Sequence, residues 1–257
     1  MDYEMTSSLE KLVLPGERID DLERGGVRII QSRDAFCFSV DAVLLAHFAA
    51  VHNYDRVMDL CTGTAIIPLL LSTRAKGLRQ WGLELNDEVS ERAMRSVALN
   101  RLSDKITVVK GDVRDIRGTF AHGGFDLVTA NPPYLPLAQG DISTSDLRSM
   151  ARHEVTVTLR DVIAAAQWLL PTGGRFAMVH RPHRLADIIV TLRELRLEPK
   201  RLRLVHPAAG KEACMVLVES IKDAKPELKV GAPIYIHQRD GSYTEQLRTL
   251  YAGGELS

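Results

Sequence analysis

One stretch of the sequence is Val57-Met58-Asp59-Leu60-Cys61-Thr62-Gly63-Thr64-Ala65-Ile66-Ile67-Pro68-Leu69-Leu70-Leu71. It encodes a short apolar strand, then a turn of small residues, then an apolar helix. The apolar runs on either side of the turn predict a buried strand and a buried helix. Gly63 can adopt a positive φ or let a ligand approach the main chain closely, and the first N–H groups of the helix point back towards such a ligand. The stretch therefore predicts an α/β fold with a ligand at this turn, a feature that NAD, FAD and S-adenosylmethionine sites share.

Acidic residues stand at the ends of the next two predicted strands. Glu84 ends the strand over 79–85, twenty-one residues after Gly63, where an acid can hydrogen-bond ribose hydroxyls. Asp112 follows the strand over 105–110, and its carboxylate could accept a hydrogen bond from an adenine amino group. Because strands and helices alternate, we predict a parallel sheet in which these strand ends meet at one edge.

A fourth apolar run, 125–130, ends in Asn131-Pro132-Pro133-Tyr134. Two successive prolines stiffen the chain as it leaves the predicted strand. The Asn131 Oδ1 and the Pro132 carbonyl can accept the two N–H bonds of a planar amino group, while Tyr134 stacks on its face. A nucleobase exocyclic amine fits this arrangement, and so does a glutamine side-chain amide.

The order and spacing of four motifs carry a family resemblance. They are Asp59-Leu60-Cys61-Thr62-Gly63-Thr64-Ala65, Gly82-Leu83-Glu84-Leu85, Gly111-Asp112-Val113-Arg114-Asp115 and Asn131-Pro132-Pro133-Tyr134. Together they resemble the class I S-adenosylmethionine (SAM)-dependent methyltransferases, in the branch that methylates amino groups. Two further segments, 16–22 and 36–46, resemble the bacterial tRNA adenine-N6 methyltransferase family, whose best-known member modifies the adenine just 3′ of the anticodon in a valine tRNA.

The resemblance implies an α/β, Rossmann-like fold with a seven-stranded, mostly parallel sheet whose last strand is antiparallel. It divides the chain into a small N-terminal β-extension and helix over 1–50, packed on the catalytic domain, and a methyltransferase domain over 51–257. Within the extension, Gly25-Gly26 predicts the turn of a β-hairpin.

The resemblance also implies a set of site residues. Methyl transfer falls to Asn131, Pro132 and Tyr134. The cofactor, SAM, is expected to contact Asp41, Asp59, Cys61, Thr62, Gly63, Glu84, Leu85, Asp112, Val113 and Asn131. The substrate is expected to contact Pro133, Tyr134 and Arg152, and no residue is assigned to a metal.

Two positions depart from the family pattern of glycines around the turn. Cys61 and Ala65 stand where the related pattern has its outer glycines. Because side chains disfavour a positive φ, that conformation is expected to be less common at both positions and the cofactor to bind less tightly.

Composition predicts a cytosolic enzyme with no membrane-spanning segment. The chain has 257 residues, 45% hydrophobic and 26% charged, and three scattered cysteines that suggest no disulfide framework. Its N-terminus lacks the basic and apolar regions of a secretory signal, and no run of about 18 apolar residues occurs.

The expected partner is tRNA or another RNA, although the formal net charge is zero. Residues 181–206 hold seven Lys or Arg against three acids, which predicts either a solvated helix face or a patch for tRNA phosphates. The long polar segment 136–156 is expected to close over the target base.

Three alternatives stay open at this stage. Methylation of glutamine N5 in a protein and of guanine N2 in rRNA would use the same asparagine-proline arrangement. A SAM-fold module that binds RNA or a partner without turnover is the non-enzymatic alternative.

Overall fold

The computed structural model describes residues 12–33, 40–133 and 157–254. The described strands are β1 (Glu17–Asp21), β2 (Arg28–Ser32), β3 (Arg56–Leu60), β4 (Arg79–Glu84), β5 (Ile106–Lys110), β6 (Leu127–Ala130), β7 (Arg175–His180), β8 (Leu197–Ala208), β9 (Met215–Lys222), β10 (Lys229–Val230) and β11 (Ile234–His237). The described α-helices are α1 (Val40–Phe48), α2 (Ile66–Leu71), α3 (Asp87–Leu99), α4 (Ile116–Thr119), α5 (Leu159–Leu169), α6 (Leu185–Glu194) and α7 (Glu245–Tyr251).

The main sheet has the strand order β10-β8-β9-β7-β6-β3-β4-β5, with β11 also paired to β8. Strands β3 to β7 are parallel, and β9 runs antiparallel between β7 and β8. The prediction of a mostly parallel sheet with one antiparallel strand is therefore confirmed. The short strands β10 and β11 extend its outer edge beside β8, so among the described residues the sheet has nine strands where seven were predicted.

Helices cover both faces of the sheet and bury two hydrophobic clusters. One cluster joins α1, α2, α3 and α7 to one face, and the other joins α4, α5 and α6 to the opposite face. Strands that are covered on both sides are mostly apolar along their length. All four residues of β6 are buried for this reason, which fixes the point at which its polar continuation can emerge.

The N-terminal hairpin is also confirmed: β1 and β2 pair antiparallel around Gly25 and Gly26, which have φ values of 60° and 70°. Glu17 anchors the hairpin on α3 by accepting hydrogen bonds from Arg92 (2.9 Å) and Arg95 (2.5 Å). These bonds, chiefly that from Arg95, lower the pKa of Glu17 to about 2. The division of the chain at residue 50 stays a prediction.

Candidate active site

The loop after β3 brings three residues with positive φ together at the carboxyl edge of the sheet. They are Cys61 at 57°, Gly63 at 58° and Ala65 at 64°. The expectation that the side chains of Cys61 and Ala65 would disfavour this conformation is wrong for the main chain of this loop. A left-handed φ costs an L-residue roughly 1–2 kcal/mol, so the surrounding hydrogen bonds must hold the loop in place.

Asp59 accepts two hydrogen bonds that hold the loop against the sheet. Its carboxylate accepts 2.6 Å bonds from the hydroxyls of Thr62, in the loop, and of Thr129, on β6. The side chain is fully buried, and this burial raises the pKa of Asp59 to about 7. Asp59 therefore joins the loop to β6 and presents no carboxylate oxygen to solvent, although the sequence predicts a cofactor contact for it.

Thr129 is not among the site residues that the sequence predicts. It pairs in register with Asp59 across β3 and β6. The signal that could have found it is its place two residues before Asn131, since residues two apart along a strand lie on the same face. Only the strand order, however, shows that its neighbour is Asp59.

Glu84 ties the same loop to β4. Its Oε2 accepts a 2.9 Å hydrogen bond from the Gly63 N–H, and its Oε1 accepts a 3.0 Å bond from the Asn86 N–H. A carboxylate has about four acceptor positions, so these two bonds leave roughly two, and the predicted contact with ribose hydroxyls stays a prediction. Leu85, the next residue, is 39% exposed and offers an apolar surface beside them.

The Asp112 carboxylate has fewer hydrogen-bond acceptor positions left for a ligand than the sequence suggests. Its carboxylate accepts hydrogen bonds from the Arg114 main-chain N–H (2.8 Å) and from the Arg114 guanidinium, which lowers the pKa of Asp112. The predicted contact between Asp112 and an adenine amino group stays a prediction, and it requires the exposed Arg114 side chain to move. Val113 is buried in the same cluster as Leu83 and can offer a ligand its main chain alone.

The predicted methyl-acceptor segment continues directly from β6. Pro132 is buried, Asn131 is partly exposed and Pro133 is exposed. The register of β3 and β6 pairs Leu60 with Ala130, so Asn131 leaves the sheet beside the loop that begins at Cys61. Burial raises the pKa of the Cys61 thiol to about 12, which keeps it protonated.

Asp41 is a further predicted contact that lies within the described residues. Asp41 lies in the first turn of α1, is nearly buried, and accepts a 2.8 Å hydrogen bond from the Ala42 N–H. Tyr134, Arg152 and the polar segment 136–156 lie outside the described residues, so their roles stay predictions.

Two curated relatives identify the family. A tRNA1(Val) (adenine(37)-N6)-methyltransferase of Porphyromonas gingivalis is 31% identical over 198 residues, which are 74% of this chain and 76% of the relative. The chain belongs to the tRNA1(Val) (adenine(37)-N6)-methyltransferase family. A protein of the same name from Aeromonas hydrophila is 30% identical over 83% of this chain and 88% of its own.

Solved structures agree with this methyltransferase family at the level of the fold. A predicted O-methyltransferase, Atu636 of Agrobacterium tumefaciens, matches with a TM-score of 0.70 and 24% identity, over 85% of this chain and 98% of that one. TrmN of Thermus thermophilus matches with a TM-score of 0.52 and 22% identity, over 70% of this chain and 48% of that one. No protein-family model matches the chain.

This methyltransferase uses SAM, and its described residues fit that donor. A Cβ built on Gly63 would meet no atom within 4 Å, so the loop leaves space at its centre. Glu84 retains acceptor positions next to this space, and Leu85 retains exposed apolar surface.

Neither a metal site nor a membrane span is found in the part of the chain that the structure describes. Within it, no group of three His, Cys, Asp or Glu side chains is placed to hold a metal ion. No helix over 12–33, 40–133 or 157–254 combines the length and apolar character needed to cross a bilayer.

Proposed function

We propose that this methyltransferase transfers a methyl group to the exocyclic N6 of adenine 37 in tRNA1(Val). The observation that carries the proposal is the buried carboxylate of Asp59, which holds the cofactor loop through Thr62 and the strand before Asn131 through Thr129. One group thereby sets the position of the cofactor-binding loop relative to that of the amine-accepting segment.

The described residues explain how the amine would be held. In the proposed complex, the Asn131 Oδ1 and the Pro132 carbonyl each accept one N–H bond from the adenine amino group. Two such acceptors hold the nitrogen lone pair away from the ring and offset the positive charge that develops on nitrogen during transfer. Pro132 is buried, and the two prolines stiffen the main chain that carries the Pro132 carbonyl before the substrate binds.

SAM, when bound, supplies an electrophilic methyl group on its sulfonium sulfur. The fixed positions of Asn131 and the loop after β3 then account for most of the proposed rate enhancement, because positioning alone can contribute several kcal/mol, up to about 7–11. Tyr134 is predicted to stack on a base that has been turned out of the anticodon loop. We expect the reaction to take place in the cytoplasm, where the proposed substrate is found.

The experiment that tests this function uses tritiated SAM and two acceptor fractions, tRNA and protein, from cells that lack the gene. We expect label in the tRNA fraction and a new N6-methyladenosine peak in its nucleoside mass spectrum. Label in glutamine of a protein, or in N2-methylguanosine of rRNA added as a third fraction, would contradict the proposal. So would an absence of label together with normal SAM binding.

A further inference from the structure

The basic stretch at residues 181–206 does not form one patch. Helix α6 carries the chain from the carboxyl edge of the sheet, where β7 ends, to the amino edge, where β8 begins. At the amino edge, Arg193 pairs with Glu198 (3.3 Å) and Arg196 pairs with Asp223 (2.8 Å). These arginines therefore face away from Asn131 and already have acidic partners.

A different set of basic side chains meets at the carboxyl edge. Arg181 follows β7, Lys211 lies in the turn after β8, and Arg239 follows β11; all three are exposed. β8 is parallel to β11, and both β7 and β8 are antiparallel to β9, so these three turns lie at the same edge as Asn131. We call Arg181, Lys211 and Arg239 the basic edge.

A histidine near the end of each strand holds the turn that carries each of these side chains. The Arg181 N–H donates to the His180 Nδ1 over 2.8 Å. The His206 Nδ1 donates to the Lys211 carbonyl over 2.7 Å, and the His237 Nδ1 donates to the Gly241 carbonyl over 3.1 Å. The main chain of all three turns is therefore fixed at the level of the strand ends.

Three exposed acids also lie at this edge: Asp187, Glu212 and Asp240. Asp187 pairs with Arg184 at 2.7 Å. Asp240 accepts hydrogen bonds from the N–H (2.9 Å) and hydroxyl (2.7 Å) of Ser242. The carboxylate of Asp240 is thus turned into its own turn, while the neighbouring Arg239 side chain stays exposed.

The distance from Asn131 to the far end of the basic edge suits a nucleic-acid strand. Adjacent strands lie about 4.8 Å apart, so the four steps from β6 through β7, β9 and β8 to β11 cover roughly 19 Å. A stacked nucleic-acid strand carries a phosphate about every 3.4 Å along its axis. Several phosphates can therefore lie along the edge while a base is held at Asn131.

We infer that the basic edge of Arg181, Lys211 and Arg239 is the surface that binds the phosphate backbone of the tRNA. This inference rests on the proposed function, because it names the surface that presents the tRNA to the same site. The fixed turns direct the three cations along the strand ends, and the substrate crosses the outer half of the sheet to reach Asn131.

The test compares two triple variants that remove the same charges. Arg181→Ala/Lys211→Ala/Arg239→Ala removes the basic edge, and Arg193→Ala/Arg196→Ala/Lys225→Ala removes two arginines and one lysine near the amino edge. Binding of deacylated tRNA is measured by filter binding between 50 and 200 mM salt, and SAM binding by calorimetry reports whether each variant is folded.

We expect the first variant to bind tRNA about ten- to hundredfold more weakly. The slope of log K against log salt is negative, and its magnitude should be smaller by about 2 in this variant. The control should stay within about threefold of the unmodified protein, and both variants should bind SAM normally. Three outcomes would overturn the inference. They are an unchanged salt slope in the first variant, an equal loss of tRNA affinity in the control, and capture of a protein but no tRNA by the unmodified enzyme.

The failure of this inference can be told apart from the failure of the proposed function. If the unmodified enzyme methylates tRNA and the first variant binds it with an unchanged slope, the function stands and the surface is wrong. If the first variant shows the expected change in salt slope relative to the unmodified enzyme, but the unmodified enzyme forms no N6-methyladenosine, the surface stands and the function is wrong.

Discussion

The hydroxyl of Thr129 donates a 2.6 Å hydrogen bond to the carboxylate of Asp59 across two neighbouring strands. Both residues are fully buried. The bond joins the strand that ends at Asn131 to the loop that ends in Ala65, and it therefore couples the two halves of the candidate site.

Replacement of this hydroxyl by a methyl group should uncouple the two halves. In Thr129→Val, one Asp59 oxygen loses its donor and stays buried, which costs roughly 1–3 kcal/mol. We expect turnover to fall about tenfold or more, with a smaller rise in the KM for SAM, in steady-state assays. Thr129→Ser should restore turnover, and a Val variant with unchanged kcat would show that the bond has no part in positioning.

Removal of the Asn131 amide should abolish methyl transfer while SAM still binds. By analogy with the loss of one fixed polar group at a reacting centre, Asn131→Ala is expected to lower kcat by roughly 10²–10³-fold. Tritium transfer and calorimetry measure the two effects separately. Asn53→Ala removes an exposed amide that accepts a hydrogen bond from the Lys76 N–H outside the site, and it should leave both unchanged.

A methyl group at Gly82 should disturb the cofactor loop from the neighbouring strand. A Cβ there would lie 2.8 Å from both the Oγ1 and the Cγ2 of Thr62, whose hydroxyl bonds to Asp59. We expect Gly82→Ala to weaken SAM binding about tenfold and to lower stability by roughly 1–3 kcal/mol. Gly118→Ala, where a Cβ meets no atom within 4 Å, is the matched control for both measurements.

Removal of the Arg114 side chain should free the Asp112 carboxylate. If Asp112 accepts the adenine amino group, Arg114→Ala should bind SAM several-fold more tightly, because no guanidinium has to be displaced. Asp112→Ala should bind it more weakly, by about ten- to hundredfold for a lost charge-assisted hydrogen bond. Weaker binding in both variants, measured by calorimetry, would instead show that the ion pair itself supports the site.

Acid should loosen the N-terminal hairpin. Because the folded-state pKa of Glu17 is lowered to about 2, its ionised form stabilises the protein fully above about pH 4.5, the ordinary value, and this contribution is lost as the pH falls towards 2. Glu17→Gln should lower the free energy of unfolding at pH 7 by about 2 kcal/mol. The difference between variant and unmodified protein should shrink as the pH falls from 4.5 towards 2 in denaturant melts, and a constant difference would refute this assignment.

Some of the site follows from local pattern alone. The sequence shows mainly apolar runs followed by Glu84, Asp112 and Asn131, because a strand that is covered on both faces is mostly apolar. Alternation with helices then places those ends at one edge of a parallel sheet. The family resemblance adds the antiparallel last strand, which the structure confirms in β9, whereas the order of the strands comes from the structure alone.

Other parts depend on contacts between distant segments. The sequence by itself determined which residues end the strands, because the apolar character that a buried strand requires is a property of its own side chains. Only the tertiary structure decided that Cys61 and Ala65 adopt positive φ, that Thr129 meets Asp59, and that Arg181, Lys211 and Arg239 share an edge. The physical reason is that hydrogen bonds and burial between neighbouring strands outweigh local conformational preference, and no local pattern records which strands become neighbours.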